Sequence, residues 1–354
     1  MSKKRSRVLM IVVVLVLMVA ATSLQLAAQD EERTLVVSTF GFNMDLIEEN
    51  ITIPFQEMYD ATIIYETGNN SDRLARLEEL GEDTEVDVVH FAGIFPFRAK
   101  AEGLLQPIDP EMLENYAELY EWAQDPLGDN YGIAYAINSH ALVYRTDMVE
   151  EPITSWADLL REDLTGFVSI PEMSTTFGPA TIIMMAAALG GDPEEFEDTE
   201  IGWEAMPDLA DQLVTSYIRS SELVALYQED EVWASPYSSF ARGNLMDTGL
   251  PLEFVIPEEG AVGDPITVSI TAASDNVELA HAYIDFIISH DVQEAEALQL
   301  IDSPTNMTVM LPDDIAALLT YGSDLIESLV FMDQAQLLEV ADEWLERWNE
   351  VMLQ

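Results

Sequence analysis

The sequence contains no cysteine. Disulfide bridges, thiolate metal ligands and a cysteine nucleophile are therefore excluded, and so is a lipid anchor on an N-terminal cysteine. Basic residues are scarce: 14 Lys and Arg stand against 66 Asp and Glu in 354 residues, a formal net charge of −52. Lys3, Lys4, Arg5 and Arg7 hold four of those 14, and Lys100 is the one lysine beyond residue 28. So acidic a surface repels nucleic acid and anionic lipid, and neither is expected as a partner. The acids are spread along the chain, with a local peak at DPEEFEDTE (192–200), as befits a solvated, mutually repelling surface rather than an acidic tail.

Catalytic motifs are missing as well. There is no G-x-S-x-G elbow, no phosphate-binding G-x-x-x-x-G-K-[ST] and no H-E-x-x-H. His90, His140, His281 and His290 fall in different predicted elements, and His90, ending a core strand, reads as structural. The carboxylates of DPEMLENYAELYEW (109–122) read as a solvated helix face. With 66 acids, carboxylate pairs suited to glycosidase chemistry arise by chance. No catalytic residue, metal site or cofactor is expected.

What is present begins with an export signal. A basic n-region precedes an unbroken apolar run from Val8 to Ala21, short for a membrane span and right for a signal peptide. Cleavage is expected after Ala28, with Ala21 as the competing site and an uncleaved N-terminal anchor as the alternative. The body of the protein is then exported, to work in the periplasm or outside the cell. At this length two lobes are expected. Strand-like TLVVSTF, ATIIYETG and VDVVHFAG alternate with helical stretches at 44–59 and 70–81, the latter capped by Asn70 or Ser71. That order predicts an α/β fold, each lobe a mostly parallel sheet flanked by helices, with ligands beyond the carboxyl ends of the strands. Two extended passages, 131–148 and 250–262, carry the chain across and back. The expected lobes are 33–138 with 265–302 and 139–264 with 303–354.

Residues 168–191 read VSIPEMSTTFGPATIIMMAAALGG. A strand stops at Pro171, and Gly178-Pro179 launches a nearly uncharged helix. Its first turn leaves unpaired N–H donors, which Ser174, Thr175 and Thr176 cap or which meet an anionic ligand.

These features resemble the extracellular solute-binding proteins of ABC importers, type II, and in particular their spermidine/putrescine-binding branch. The resemblance runs over roughly 34–310 and rests on DVVHFAGIFPFRAKAEGLLQPID (87–109), ITSWADLL (153–160), VIPEEGAV (255–262), AHAYIDFIISHDVQ (280–293) and SPTN (303–306). It implies capture of a small solute between two lobes by hinge closure, delivery to a membrane permease, and a monomer without cofactor. Carried over position by position, the first-loop aromatic falls near Thr39 and Phe40, with Phe42 close by. The Ser and Tyr after the third strand fall on Ala92 and Ile94, flanking Gly93. The acidic pair of the second lobe falls near Met173 and Thr176. The next Trp falls near Tyr237, beside Ser238. The later Trp falls near Asp264, its acid near Ile266, and the Tyr before Pro-Thr on Ser303. All three carboxylate positions are apolar or hydroxyl here, although an offset of one or two residues restores Glu172 or Asp264.

The implied ligand shifts accordingly. Hydroxyls and N–H donors at 174–178 favour an anionic group, Arg242 offers bidentate pairing to it or makes a surface ion pair, and Asp264 or Glu172 takes an ammonium. A zwitterion or organic anion is expected, amino-acid-like, opine-like or a phosphonate, with a polyamine or a ligand-sensing module of the same fold as the alternatives. No Tyr-Tyr pair supports iron binding, while Phe40, Phe42, Phe95 and Tyr237 supply rings enough for thiamine.

The charge excess itself points to high salt, or else to an acidic habitat. The Debye length shrinks from about 10 Å at 0.1 M to about 3 Å at 1 M, which mutes the repulsion. The melting temperature of residues 29–354 should climb steeply between those salt concentrations; a flat profile rules the high-salt explanation out.

Overall fold

The computed structural model describes residues 33–352, so the signal expected over 1–28 and its cleavage site lie outside the described residues. β1 (Arg33–Thr39) leads into a helical stretch whose middle, Glu48–Thr52, is a π-turn before α1 (Ile53–Tyr59). Pro54 brings no N–H to that ladder, and the turn ahead of it widens. β2 (Ala61–Thr67) and α2 (Asn70–Leu80) follow. The cap of α2 is Asn69, one residue before the expected pair; its side chain accepts the Asp72 N–H at 2.8 Å. Next come β3 (Val88–Ala92), α3 (Phe95–Ala101), the two-residue β4 (Leu105–Gln106) and the long β5 (Ile133–Arg145). The second half runs β6 (Val168–Pro171), α4 (Gly178–Ala188), α5 (Thr199–Ala210), β7 (Leu213–Tyr217), α6 (Ser220–Gln228), β8 (Ala234–Ser238) and β9 (Leu252–Val255). The chain closes with β10 (Ala261–Thr271), α7 (Val277–Ile287), α8 (His290–Leu298), β11 (Leu329–Phe331) and α9 (Gln334–Met352).

Two expectations change. The solvated helix over 109–122 is instead two 3-10 turns, Pro110–Met112 and Tyr116–Glu118, and one turn at Glu121–Gln124. Leu113 and Leu119 turn inward, and the Asn115 N–H is taken by Asp285 Oδ1 at 2.9 Å, so off-helix partners outbid the helical ladder. The return passage expected at 250–262 is β9 and a loop, and the crossing back is made by β10 at Ala261–Thr271, whose start pairs in parallel with β11 from the tail.

Strand order is β2-β1-β3-β10-β5-β8-β6-β7, with β4 and β11 on β10 and β9 on β5. β1 is parallel to both β2 and β3, and β6 to both β7 and β8. Where the chain crosses between halves the pairing turns antiparallel, through β10 against β3 and β5, and β5 against β8. One core gathers Leu35, Phe55, Val88, Ile133 and Tyr283. Another gathers Leu142, Trp156, Met185, Trp203 and Trp344 around α4, α5 and α9. The fold is therefore mixed α/β, with two lobes strung on β5 and β10. Among the described residues no helix is long and apolar enough to cross a membrane.

The packing of α5 on α4 depends on one glycine. A Cβ at Gly202 would collide with the Ile182 carbonyl oxygen and lie 3.1 Å from the Ala186 nitrogen, both backbone atoms of α4. Gly202→Ala should cost about 1–3 kcal/mol in denaturant unfolding by overpacking. Gly243→Ala, where nothing lies within 4 Å, should be neutral or stabilising in the same measurement.

Candidate functional site

The crossing strands determine which side chains meet. In register, Asp264 of β10 faces Asn138 of β5, Val262 faces His140, and His140 in turn faces Ser238 of β8. Side chains alternate across a sheet, so Asp264, Asn138, His140 and Ser238 share the face covered by α4. Asp264 is 1% exposed. Its Oδ1 accepts the Gly93 N–H at 2.9 Å, and its Oδ2, also buried, has no hydrogen-bond partner. Burial raises its carboxyl to about 7, against a smaller pull from the Gly93 N–H.

Gly93 brings the lobes together. Its φ of +61° is left-handed, and a Cβ there would lie 2.5 Å from Thr176 Cγ2 at the start of α4. A second contact across the cleft joins the Phe42 and Phe240 rings, 6.2 Å apart. In the approach to α4, Thr175 is folded back, its N–H and hydroxyl both on the Glu172 carbonyl. Ser174 is exposed, and the N–H groups of Thr176 and Phe177 donate to no acceptor among the described residues. The start of α4 thus offers free donors beside an unpaired carboxylate.

The other expected residues are placed as follows. Thr39 is buried at the end of β1. Phe40 lies beneath the Arg73 guanidinium at 4.6 Å. Glu172 accepts from Ser216 Oγ at 3.1 Å. Tyr237 and Arg242 meet on the reverse face of β8, where Tyr237 packs edge-on against Phe254 and the guanidinium covers the same ring at 4.7 Å. Burial pushes the Tyr237 hydroxyl up to about 12. Arg242 makes no ion pair among the described residues, and its buried Nε has no partner. Ser303 is turned into the hinge, its Oγ accepting from Thr320 N and its carbonyl from Ile137 N. Hence Gly93, Thr176 and Asp264 come together, while Arg242, Glu172 and Ser303 point elsewhere.

Two residues escaped the sequence reading. Arg73 is 4% exposed, yet no carboxylate pairs with it; it donates to the carbonyls of Gly68, Ser38 and His90 and to Asn70 Oδ1. Those carbonyls mark the carboxyl ends of the first three strands, so Arg73 ties the rim of the first lobe. Desolvation lowers its pKa to about 10, and it stays charged at neutral pH. His140, fully buried, stacks on Phe177 at 4.7 Å and 11°. Burial holds its ring neutral, with a pKa near 3. A histidine inside an apolar strand was its one sequence signal.

An acidic pair sits in the first lobe. Glu296 and Asp302 line a cavity of about 20 Å³, room for one water, with Tyr135, Gln293, Ile51 and Pro304. Burial raises Glu296 to about 8 and Asp302 to about 6, and Asp302 adds to the rise at Glu296. No cluster of three or more metal-ligating side chains occurs among the described residues.

Residues 83–327 match the family described as bacterial extracellular solute-binding protein. A crystal structure of an ABC transporter protein from Clostridium perfringens superposes with a TM-score of 0.80 at 31% identity, covering 90% of this chain and 99% of that one. The spermidine/putrescine-binding periplasmic protein of Escherichia coli is 24% identical over 291 residues, 80% of this chain and 81% of its own length. That of Salmonella typhimurium is 25% identical over 250 residues, 69% of this chain and 70% of its own.

The raised Asp264 carboxyl carries a pH signature. Its protonated form is favoured by folding, so its contribution is complete below the usual carboxylate range and is lost as pH rises through about 7. Asp264→Asn should match the parent in stability below pH ~4 and exceed it by on the order of 3 kcal/mol near pH 8. Unfolding curves at both pH values check this, and a difference independent of pH refutes it.

Proposed function

Since the chain belongs to the bacterial extracellular solute-binding family and is the substrate-binding component of an ABC transporter, we propose that its solute is a small zwitterion or organic anion. One observation carries this reading: an unpaired, buried carboxylate at Asp264 lies one glycine away from the open N-terminus of α4. An ammonium takes the first and an anionic group the second, where N–H donors and the helix dipole favour negative charge. Arg73 and Arg242, one at the strand ends of each lobe and neither in an ion pair, add positive potential in a protein otherwise crowded with acids. The solute touches both lobes through Gly93 and Thr176, so its binding favours the closed arrangement, and the closed protein docks on a membrane permease. The protein acts as an exported monomer, free or held by its N-terminal segment.

A polyamine is the second reading, favoured by the names of the Escherichia coli and Salmonella relatives. Asp264 would hold one ammonium, with Phe42 and Phe240 as the aromatic walls, and Glu172 would have to turn from Ser216 to hold another.

Thermal unfolding of residues 29–354 in high salt, against amino acids, opines, aminoalkylphosphonates, thiamine, putrescine and spermidine, separates the two. A ligand at a hundred times its Kd adds about 2.7 kcal/mol of stability. Zwitterions should raise the melting temperature and Asp264→Asn should abolish the rise; a shift confined to putrescine or spermidine overturns the proposal.

A further inference from the structure

Four polar groups around the start of α4 are buried and have no protein partner: both ring nitrogens of His140, Ser238 Oγ, Thr181 Oγ1 and Asp264 Oδ2. His140 and Thr181 are fully buried, Ser238 is 5% exposed and Asp264 1% exposed. Six other buried side-chain atoms among the described residues are also unmet, on Trp122, Ser169, Trp203, Trp233, Arg242 and Ser269, but many buried polar side chains are met. The Tyr227 hydroxyl reaches Val143 O and Ser235, and Gln293 spans Tyr135 O, Thr305 and Asn306. A buried donor or acceptor left unmet costs about 1–3 kcal/mol, so several in one place mark a site rather than a packing slip.

Their placement is specific. Thr181 lies in the first turn of α4, where a threonine hydroxyl ordinarily bonds back to the preceding turn. The His140 ring lies flat on Phe177, the residue that opens the helix, and Ser238 sits directly opposite His140 in register. The Tyr237 backbone reaches the ring only weakly, raising its pKa a little against the desolvation and falling short of a well-formed hydrogen bond, so at least one ring nitrogen is left unmet. A neutral imidazole has one N–H to give and one lone pair to fill.

We infer that His140 and Ser238 read the anionic end of the solute, and that this end is a carboxylate rather than a phosphonate or phosphate ester. The inference rests on the zwitterion reading above and narrows it. Every donor at this spot is neutral: an imidazole N–H, two hydroxyls and the N–H groups of Thr176 and Phe177. The cations lie apart, Arg73 on the first lobe's strand ends and Arg242 on the reverse face of β8 over Phe254. Neutral donors suffice for a single negative charge, whereas a doubly charged phosphonate in a buried site calls for a paired cation. Next to Asp264, which takes the ammonium, the arrangement fits an amino acid or an opine.

The test uses residues 29–354 and His140→Phe, which keeps the stack on Phe177 and deletes both ring nitrogens. Binding is read by calorimetry with glycine, β-alanine, 4-aminobutyrate, L-glutamate and octopine, and with the aminoalkylphosphonates matched to the first three. Carboxylates should bind at least tenfold more tightly than their phosphonate partners. His140→Phe should lose at least tenfold in carboxylate affinity while its melting temperature without ligand holds or rises. A purely structural histidine gives the reverse, a lower melting temperature with affinity intact, and overturns the inference. Histidine-selective labelling supplies an independent readout, because the chain has four histidines. The ring signal missing from His140→Phe should move on adding the carboxylate; an unmoved signal counts against the assignment. Tighter phosphonate binding overturns the carboxylate preference alone and leaves the zwitterion reading standing. Stabilisation by polyamines only, or by no compound, overturns both.

Discussion

The antiparallel ladder between β5 and β10 holds the structure together. It runs from Val262 opposite His140 to Val268 opposite Ile133, with an irregularity between Ile266 and Thr267. β3 hangs on one side of this pair and β8 on the other, so each lobe's sheet is an extension of it. Backbone hydrogen bonds resist a slip in register far more than they resist a bend, because a slip by one residue turns every side chain to the opposite face. The same ladder that joins the lobes therefore sets which groups face α4. Asp264 and His140 meet the start of that helix because their strand positions leave them no other face.

Charge organises what the ladder positions. Most basic side chains are engaged by the surrounding acids: Arg145 with Asp147 and Asp230, Arg98 with Glu78 and Glu102, Arg347 with Glu200. Against that background an arginine without a carboxylate, or a buried carboxylate without a cation, is informative. The scale also matters. Reversing a two-state equilibrium from 1:99 to 99:1 takes about 5.5 kcal/mol. Two or three buried polar groups, at about 1–3 kcal/mol each, supply energy of that order when a solute meets them. Surface pairs, each worth about a kilocalorie or less, do not.

Much of this architecture is legible in the sequence, because periodicity and punctuation report local structure faithfully. The β5 passage stands out as a long extended run, and Gly178-Pro179 announces α4, which begins at Gly178, whereas the expected return passage 250–262 holds β9 and only the start of β10. The losses are all non-local. The 109–122 stretch has helical spacing, but Asp285, some 170 residues away, takes the Asn115 N–H and the helix does not form. β11 is only three residues long and exists because β10 has an edge to offer. Arg73 reads as one more basic residue on a helix, since nothing in the chain order says that the carbonyls of Ser38, Gly68 and His90 converge on it. His140 gives no site signal for the same reason: its neighbours in space, Phe177 and Ser238, are far off in sequence. Which face of β8 carries Arg242 is likewise a matter of register, and motif spacing does not express it.

The C-terminal helix adds a mechanical consequence. α9 is anchored in the second lobe by Trp344 and Trp348, with Trp344 edge-on to Trp203 of α5, yet it also lies against α3 of the first lobe, where Asp342 influences Arg98. The lobes are thus in touch at the strand ladder and again at this helix. One flexible joint permits bending and twisting alike, whereas two separated bearings define an axle. An opening that kept both contacts would have to turn about a line through them, like a door on two pins.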